Sequence, residues 1–87
     1  MDTLWTEIGW SDYEYWQEQD KKTLKRINSL IKDIKRNGHI GLGKPEPLKH
    51  DFQGYWSRRI DDTNRLVYKI EKNTLIIVQC RSHYHDK

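Results

Sequence analysis

The hydrophobic residues between positions 20 and 38 recur at helical spacing. Polar and mostly basic residues separate them, and the set comprises Leu24, Ile27, Leu30, Ile31 and Ile34. This spacing predicts an amphipathic helix over 21–36. Asp20 is a favourable N-cap for that helix, and Asn37-Gly38 is a favourable ending because glycine adopts the left-handed conformation that terminates helices.

The residues before this helix predict a short strand over 3–6 and another helix over 7–19. In that first helix Ile8, Tyr15 and Trp16 can share one face, although Gly9 weakens its beginning. Residues 1–20 carry acidic but no basic side chains, whereas Lys and Arg predominate over 21–36. This arrangement of charge favours two antiparallel helices that attract each other.

From Gly54 onward the hydrophobic pattern changes to a period of two. Segments 55–60, 65–70 and 74–84 are predicted as three strands of an antiparallel meander, joined by turns at 61–64 and 71–73. The predicted fold is therefore α+β: two N-terminal helices packed on one face of a four- to five-stranded, mainly antiparallel sheet. At 87 residues, 1–87 is expected to be a single domain.

Alternation along the strands sorts their side chains by face. The residues predicted to face the helices are Trp56, Ile60, Leu66, Tyr68, Ile70, Ile76, Val78 and Cys80. Arg58 also falls on this side, and we expect it at the sheet margin, within reach of a carboxylate. For Arg59 and Arg65 to lie opposite each other on the other face, the connection at 61–63 must be odd-membered or contain a bulge.

The face away from the helices is predicted to be strongly basic. It would carry Arg59, Arg65, Arg81 and His83, with Glu46 and Lys49 delivered from the preceding segment. Like charges repel one another, so their clustering indicates an anionic ligand. Tyr55 and Tyr84 offer rings for base stacking, which suits single-stranded RNA.

Composition narrows the class of protein. Hydrophobic residues make up 34% and charged residues 33%, a balance close to disorder, but four Trp, five Tyr and one Phe indicate a packed core. Cys80 is the single cysteine, which excludes an internal disulfide, and it is expected in the core. No apolar run approaches a membrane span, so we expect a soluble, cytoplasmic protein.

Glu46 lies between Pro45 and Pro47 and is flanked by Lys44 and Lys49. Each proline ring fixes its own φ and extends the residue before it, so Glu46 is predicted to sit on a stiff, extended backbone. A carboxylate fixed among cations suits a group that accepts a proton beside an anionic substrate.

These residues suggest metal-free RNA cleavage. RNA carries its own nucleophile, the 2′-hydroxyl, so the reaction needs a base, an acid and cations for the phosphate. Glu46 is the candidate base and His83 the candidate acid, while Arg65, Arg59 and Lys49 would hold the phosphate. The expected product is a 2′,3′-cyclic phosphate. No cofactor is implied, and no metal site, because His83 and His85 lack a third ligand at a fixed spacing.

Other interpretations of the same residues remain open. The stretch 38–44 matches most of a phosphate-binding loop, but Pro45 replaces the required Ser or Thr and a helix precedes it, so nucleotide hydrolysis is disfavoured. His39 and His50 are expected to be surface groups, and the basic face of the second helix is expected to be solvated. The residues by themselves favour an RNA-binding domain, either a nuclease or a non-catalytic RNA- or ribosome-binding module, over a protein-interaction subunit.

Several motifs resemble one known family, the YoeB toxins of the RelE superfamily. They are Tyr13-Glu14-Tyr15-Trp16-Gln17, Gly43-Lys44-Pro45-Glu46-Pro47-Leu48-Lys49-His50, Gly54-Tyr55-Trp56-Ser57-Arg58-Arg59-Ile60, Arg65-Leu66-Val67-Tyr68 and Cys80-Arg81-Ser82-His83-Tyr84. The resemblance covers nearly the whole chain. The chain departs from it in its last three residues, 85–87, and in the loop 37–42.

The resemblance implies a ribosome-dependent endoribonuclease that cuts mRNA in the decoding site, with a microbial-ribonuclease-like fold and a tendency to form homodimers. It implies that Glu46 is the base, His83 the acid and Arg65 the phosphate stabiliser, with Lys49 and Arg59 assisting. It also implies that Tyr84 orients the substrate. The implied partner is a YefM-type antitoxin, in complex with which the toxin would bind operator DNA.

Overall fold

The computed structural model describes residues 1–82 and contains two helices on one side of a five-stranded sheet. The elements in chain order are β1 Asp2–Trp5, α1 Glu7–Gln19, α2 Lys21–Asn37, β2 Glu46–Pro47, a 3-10 turn His50–Phe52, β3 Trp56–Arg59, β4 Arg65–Glu71 and β5 Thr74–Gln79. The strand order is β1-β5-β4-β3-β2. The β1–β5 pair is parallel and the other three pairs are antiparallel, which confirms the predicted fold class.

Caps at both ends define the boundaries of α2. Asp20 begins α2, and its Oδ1 accepts hydrogen bonds from the backbone of Lys22 at 3.0 Å and Thr23 at 3.3 Å. The Thr23 hydroxyl also donates to Asp20 Oδ2 at 2.8 Å. This bond contributes most, and the backbone bonds add to it, in holding the pKa of Asp20 below its usual value. Gly38 ends α2 with φ 70°. Both boundaries confirm the capping signals in the sequence.

Gly9 lies where the backbone of α1 packs directly against β5. A Cβ atom at this position would lie 2.5 Å from the Ile77 carbonyl oxygen. The glycine that weakens the helix by propensity is therefore required by packing. Its neighbour Ile8 is 66% exposed whereas Trp16 is 9% exposed, so the prediction that these two residues share one face is wrong. The close approach turns Gly9 toward the sheet and Ile8 toward solvent.

The hydrophobic core lies between the helices and the sheet. Its buried members are Trp16, Ile27, Leu30, Ile34, Ile60, Leu66, Tyr68, Leu75, Ile77 and Cys80. The inward prediction is therefore confirmed for Ile60, Leu66 and Tyr68, and Trp56 and Ile70 pack against the same cluster. Among residues 1–82, no ion pair joins α1 to α2, although their opposite charges were predicted to attract. A hydrogen bond joins them instead, which the Tyr13 hydroxyl donates to Asn28 Oδ1 at 2.7 Å.

A bulge interrupts the pairing of β4 with β5. Tyr68 pairs with Ile77, but the preceding residue Val67 pairs with Gln79, which leaves Val78 as an extra residue on β5. A single extra residue reverses the alternation of faces along the strand that carries it.

This bulge overturns part of the prediction for the last strand. Leu75 and Ile77 are fully buried in the core, whereas Ile76 and Val78, predicted to face inward, are half-buried and lie outside the core cluster. Cys80 is buried as predicted, because the extra residue Val78 precedes it and shifts the alternation so that position 80 faces the core. The strand also ends at Gln79, earlier than predicted.

The remaining register prediction is confirmed. Arg59 pairs directly with Arg65 across β3 and β4. Residues 60–64 connect the two strands, an odd-membered loop, which places the two arginines opposite each other. Within residues 1–82, no helix is both long and apolar enough to cross a membrane.

Candidate functional site

The sheet face away from the helices, called here the open face, carries a row of residues across four strands. Glu46 of β2 pairs with Ser57 of β3, Ser57 pairs with Val67 of β4, and Val67 pairs with Gln79 of β5. Ser57 and Val67 are buried and form the floor of the row, while Glu46 is exposed at its end. The row places a carboxylate at the rim of the open face.

The two paired arginines form the next row. Arg59 and Arg65 lie two residues along their strands from Ser57 and Val67, and therefore on the same face, with the rows about 7 Å apart. Opposed like charges destabilise an antiparallel pair. The structure thus brings Glu46, Arg59 and Arg65 onto one face. The repulsion between the two arginines costs stability, but their combined charge attracts an anion.

Glu46 lies on an edge strand of two residues, between two prolines. Pro47 lacks a backbone N–H and is tolerated here because β2 is at the edge of the sheet. The next residue, Leu48, is buried, and its N–H donates to the Tyr55 carbonyl at 2.9 Å. The predicted extended backbone at Glu46 is confirmed.

Arg65 is held by the turn before it. Its Nη1 donates to the Asp61 carbonyl at 2.8 Å and to the Asn64 carbonyl at 3.2 Å. The Asp61 carboxylate organises that turn by accepting from the backbone of Thr63 and Asn64. Burial alone would raise the pKa of Asp61, but bonds from Asn64 and Thr63 outweigh it and lower the pKa. Arg65 is therefore oriented before any ligand arrives.

The residue that precedes the predicted acid is attached beside Arg65. The Ser82 carbonyl accepts from the Arg65 N–H at 3.1 Å, and the Ser82 N–H donates to Asn64 Oδ1. His83 follows Ser82 in the sequence. His83 and Tyr84, both predicted at the site, lie outside the described residues.

Arg81 is not on the open face, so that prediction is wrong. Its guanidinium lies over the ring of Tyr15 on α1, with Cζ 3.6 Å from the ring centroid. The weakly hydrated, planar guanidinium stacks favourably on an aromatic face, and α1 presents one at the end of β5. Arg81 and Gln79 line a surface cavity of about 310 Å³ together with Asp12.

Asp12 attaches α1 to the segment that leads to Ser82. Its Oδ2 accepts from the Cys80 N–H at 3.0 Å. Burial raises the pKa of Asp12, and the bond from Cys80 and the charge of Arg81 oppose the rise without cancelling it. Burial and the nearby Asp12 charge raise the pKa of the Cys80 thiol to about 12. The thiol is therefore a core group, as predicted, and not a nucleophile.

Lys69 of β4 adds a further cation to the open face. Lys49, predicted at the site, is exposed three residues after Glu46. Lys69 places its Nζ 5.0 Å from the centroid of the Tyr55 ring. The contact of Lys69 with Tyr55 follows from the register of β3 and β4, which alternation along a single strand leaves undetermined.

His39 is not a surface group, contrary to the prediction. Its ring is half-buried and stacks on Trp56 at a centroid distance of 4.1 Å and an interplanar angle of 5°. Its Nδ1 lies 3.4 Å from the Tyr68 hydroxyl. Burial, and then the charge of Arg58, lower the pKa of His39. His50 is exposed as predicted.

Residues 38–44 do not form a phosphate-binding loop. The segment leads from α2 into the edge strand β2, whereas that motif requires a strand before the loop and a helix after it. Among residues 1–82, no group of three or more His, Cys, Asp or Glu side chains could hold a metal ion.

Comparison with known proteins places this chain in the class of bacterial toxins from type II toxin–antitoxin systems. The family model described as "YoeB-like toxin of bacterial type II toxin-antitoxin system" matches residues 5–84. The chain belongs to this YoeB family.

Individual relatives agree with the family match. Toxin YoeB of Streptomyces coelicolor is 60% identical and toxin YoeB of Escherichia coli K12 is 54% identical, each over 97% of this chain and 100% of the relative. The solved YoeB/ParE toxin from Agrobacterium tumefaciens has a TM-score of 0.94 at 49% identity, covering 97% of this chain and 100% of that chain. The YoeB chain of a heterotetrameric YoeB–YefM complex from Staphylococcus aureus has a TM-score of 0.90 at 45% identity, covering 97% and 98%.

Proposed function

We propose that residues 1–87 form a single endoribonuclease domain that cuts mRNA in the decoding site of the ribosome and so inhibits translation. Membership of the YoeB toxin family supports this proposal. The observation that carries it is the placement of Glu46 on the open face, one row from the Arg59–Arg65 pair. A proton acceptor beside paired cations suits attack on a phosphodiester.

In the proposed reaction Glu46 removes the proton from a ribose 2′-hydroxyl, and that oxygen attacks the adjacent phosphorus. Arg65 and Arg59 stabilise the charge that accumulates on the phosphate oxygens, with Lys49 assisting. His83 donates a proton to the departing 5′-oxygen, and Tyr84 orients the substrate. The products are a 2′,3′-cyclic phosphate and a 5′-hydroxyl, formed without a metal or cofactor.

Orientation of the cations before binding is the main contribution of the fold to this chemistry. Arg65 is fixed by two carbonyls of its own turn, so little reorganisation is needed when a phosphate arrives. An anion bound by both guanidinium groups would relieve the repulsion between Arg59 and Arg65. The free protein therefore contains an unfavourable contact that substrate binding removes.

The proposed partners follow from the family. We propose that a YefM-type antitoxin neutralises the toxin, as supported by the Staphylococcus aureus YoeB–YefM complex. A solved YoeB dimer from the same organism supports a homodimer. Operator DNA would be bound only by the complex with antitoxin, and the protein would act in the cytoplasm.

The test is cleavage of a translated mRNA by purified protein on purified ribosomes, mapped by primer extension. Glu46→Gln is expected to slow cleavage by about 10²–10⁴-fold because it removes the base. The matched control Glu18→Gln changes an exposed acid on α1 and should retain full activity. Undiminished cutting by a Glu46→Ala, His83→Ala double variant would refute the assigned roles.

The chemistry has its own test. A single 2′-deoxynucleotide at the cleaved position should block cutting, because it removes the nucleophile. Cleavage ends analysed by mass spectrometry should be a cyclic phosphate and a 5′-hydroxyl. A 5′-phosphate end would show attack by water. Salt-sensitive RNA binding with intact RNA would instead identify a non-catalytic module on the same face.

A further inference from the structure

Arg58 is a fully buried cation on the helix-facing side of β3, with 0% of its surface exposed. It forms an ion pair with the Asp33 carboxylate of α2. This confirms the carboxylate expected beside it, although Arg58 is in the interior and not at the sheet margin. A buried guanidinium needs a partner for each of its donors, and the positions of those partners show what it holds in place.

Most of those partners belong to one loop, residues 38–43, called here the anchor loop. Arg58 donates to the carbonyls of Gly38 at 2.6 Å, Leu42 at 3.0 Å and Ile40 at 3.3 Å. Its Nε lies 3.3 Å from the Tyr68 hydroxyl, to which it donates. A single side chain therefore fixes alternate carbonyls along the whole loop.

The Asp33 carboxylate holds the same loop from the other side. The oxygen that pairs with Arg58 also accepts from the Leu42 N–H at 3.0 Å. At Gly41 a Cβ atom would lie 2.1 Å from that oxygen, and φ is +133°. Only glycine fits between the loop backbone and the ion pair.

The end of the anchor loop is attached directly to β3. The Gly43 carbonyl accepts from the Arg59 N–H at 2.6 Å. A Cβ at Gly43 would lie 2.9 Å from Leu30 and 3.0 Å from the Arg59 carbonyl oxygen, and φ is +78°. Gly43 is separated from Glu46 by two residues, so the position of this attachment determines where β2 begins.

The strand that carries Glu46 has little means of holding itself. β2 consists of two residues at the sheet edge, and one of them is a proline without an N–H. Two paired residues do not offset the conformational entropy of ordering an exposed edge segment. The anchor loop and the Arg58–Asp33 pair constrain β2 on its N-terminal side, as the buried Leu48 does on its C-terminal side.

From these contacts we infer that Arg58, together with Asp33, is a positioning element that acts through the anchor loop to set Glu46 against the Arg59–Arg65 pair. The inference rests on the proposed function for its catalytic part. Arg58 touches no substrate in this arrangement, because it lies on the opposite side of the sheet from the open face. Its effect on the reaction is transmitted by the backbone of residues 38–46.

The test variant is Arg58→Lys. Lysine keeps the positive charge beside Asp33 but cannot supply the planar set of donors that reaches three carbonyls. With Glu46 misplaced, kcat on ribosomes should fall about 10²-fold, whereas KM should change little. Gly41→Ala, which displaces the loop from Asp33 and leaves Arg58 intact, should give the same kcat loss and serves if Arg58→Lys does not fold.

The matched control is Leu75→Ala, a core variant on β5, which β4 separates from β3. It loses stability without touching the anchor loop, and should keep wild-type kcat at a temperature where circular dichroism shows it folded. Hydrogen exchange at the amides of residues 40–48 should accelerate in Arg58→Lys and Gly41→Ala but not in Leu75→Ala. Wild-type kcat in both loop variants, or an equal fall in Leu75→Ala, would overturn the inference.

The two proposals fail in different ways. If the wild-type protein does not cut RNA, the proposed function is overturned and the catalytic part of the inference with it. The exchange measurement still decides whether Arg58 holds the loop. If the wild type cuts RNA and both loop variants cut equally well, the positioning inference alone is overturned.

Discussion

Replacing Trp16 by Phe is expected to destabilise the protein strongly, although both residues are large and aromatic. Trp16 is 9% exposed, and its indole Nε1 donates to the Cys80 carbonyl at 2.8 Å, a bond that joins α1 to the segment after β5. Phe fills part of the site but has no N–H. The Cys80 carbonyl would then be buried without this donor, next to a small cavity.

Two contributions set the magnitude of this effect. A buried carbonyl that loses its donor costs about 1–3 kcal/mol. The lost ring volume adds about 1 kcal/mol, the lower end for large-to-small core changes. The sum, about 2–4 kcal/mol, is a large part of the ~4–13 kcal/mol expected for a domain of this size. The melting temperature should fall by roughly 10–30 °C.

The measurement is urea and thermal unfolding followed by circular dichroism. Trp10→Phe is the matched control, because Trp10 is 45% exposed and its ring contacts with Trp5 and Tyr13 can be kept by Phe. The control should stay within about 0.5 kcal/mol of wild type. Equal stabilities for Trp16→Phe and wild type would show that the hydrogen bond to Cys80 contributes nothing.

Three further predictions concern packing, reactivity and pH. Gly9→Ala should lower the free energy of unfolding by about 1–3 kcal/mol, because the new methyl group meets the Ile77 carbonyl; urea titration measures this, and an unchanged midpoint would contradict it. The Cys80 thiol, with its pKa raised to about 12 by burial, should resist iodoacetamide at pH 8 until urea unfolds the protein. Rapid alkylation of the native protein, detected by mass spectrometry, would show that the thiol is accessible. His39 has a folded-state pKa below 6.5, so its contribution to stability is complete above that pH and is lost as pH falls through the folded value. Between pH 7.5 and 5 the melting temperature of wild type should therefore fall more than that of His39→Gln. If the two melting temperatures fell equally with pH, His39 would not contribute to the pH dependence of stability.

The helices and the arginine pair could be predicted from the sequence because local signals determine them. The Asp20 cap and the helical spacing of α2 depend only on neighbouring residues. The Arg59–Arg65 pairing followed from one parity condition on a short loop. Glu46 was predicted on extended backbone because two proline rings fix it, and that conformation is what β2 shows.

The errors arise where distant elements determine the local structure. The alternation of β5 could not reveal the bulge at Val78, because the extra residue is defined only by pairing with β4. Arg81 was assigned by the same alternation, but the ring of Tyr15 draws it to α1. His39 was assigned to the surface because nothing near it in the sequence indicates the stack on Trp56. Nothing in the sequence of the anchor loop indicates that a buried arginine sixteen residues beyond Leu42 fixes it.

The strand order has a consequence for when the site can form. β5 is synthesised after every other described strand, yet it lies between β1 and β4. A nascent chain that has not released residues 74–82 has no neighbour for β1, no Cys80 for Trp16 and Asp12 to bind, and no Ser82 beside Arg65. An incomplete chain therefore cannot assemble the open face. A protein proposed to attack translating ribosomes would remain harmless to the ribosome that is making it until residues 74–82 have emerged and paired.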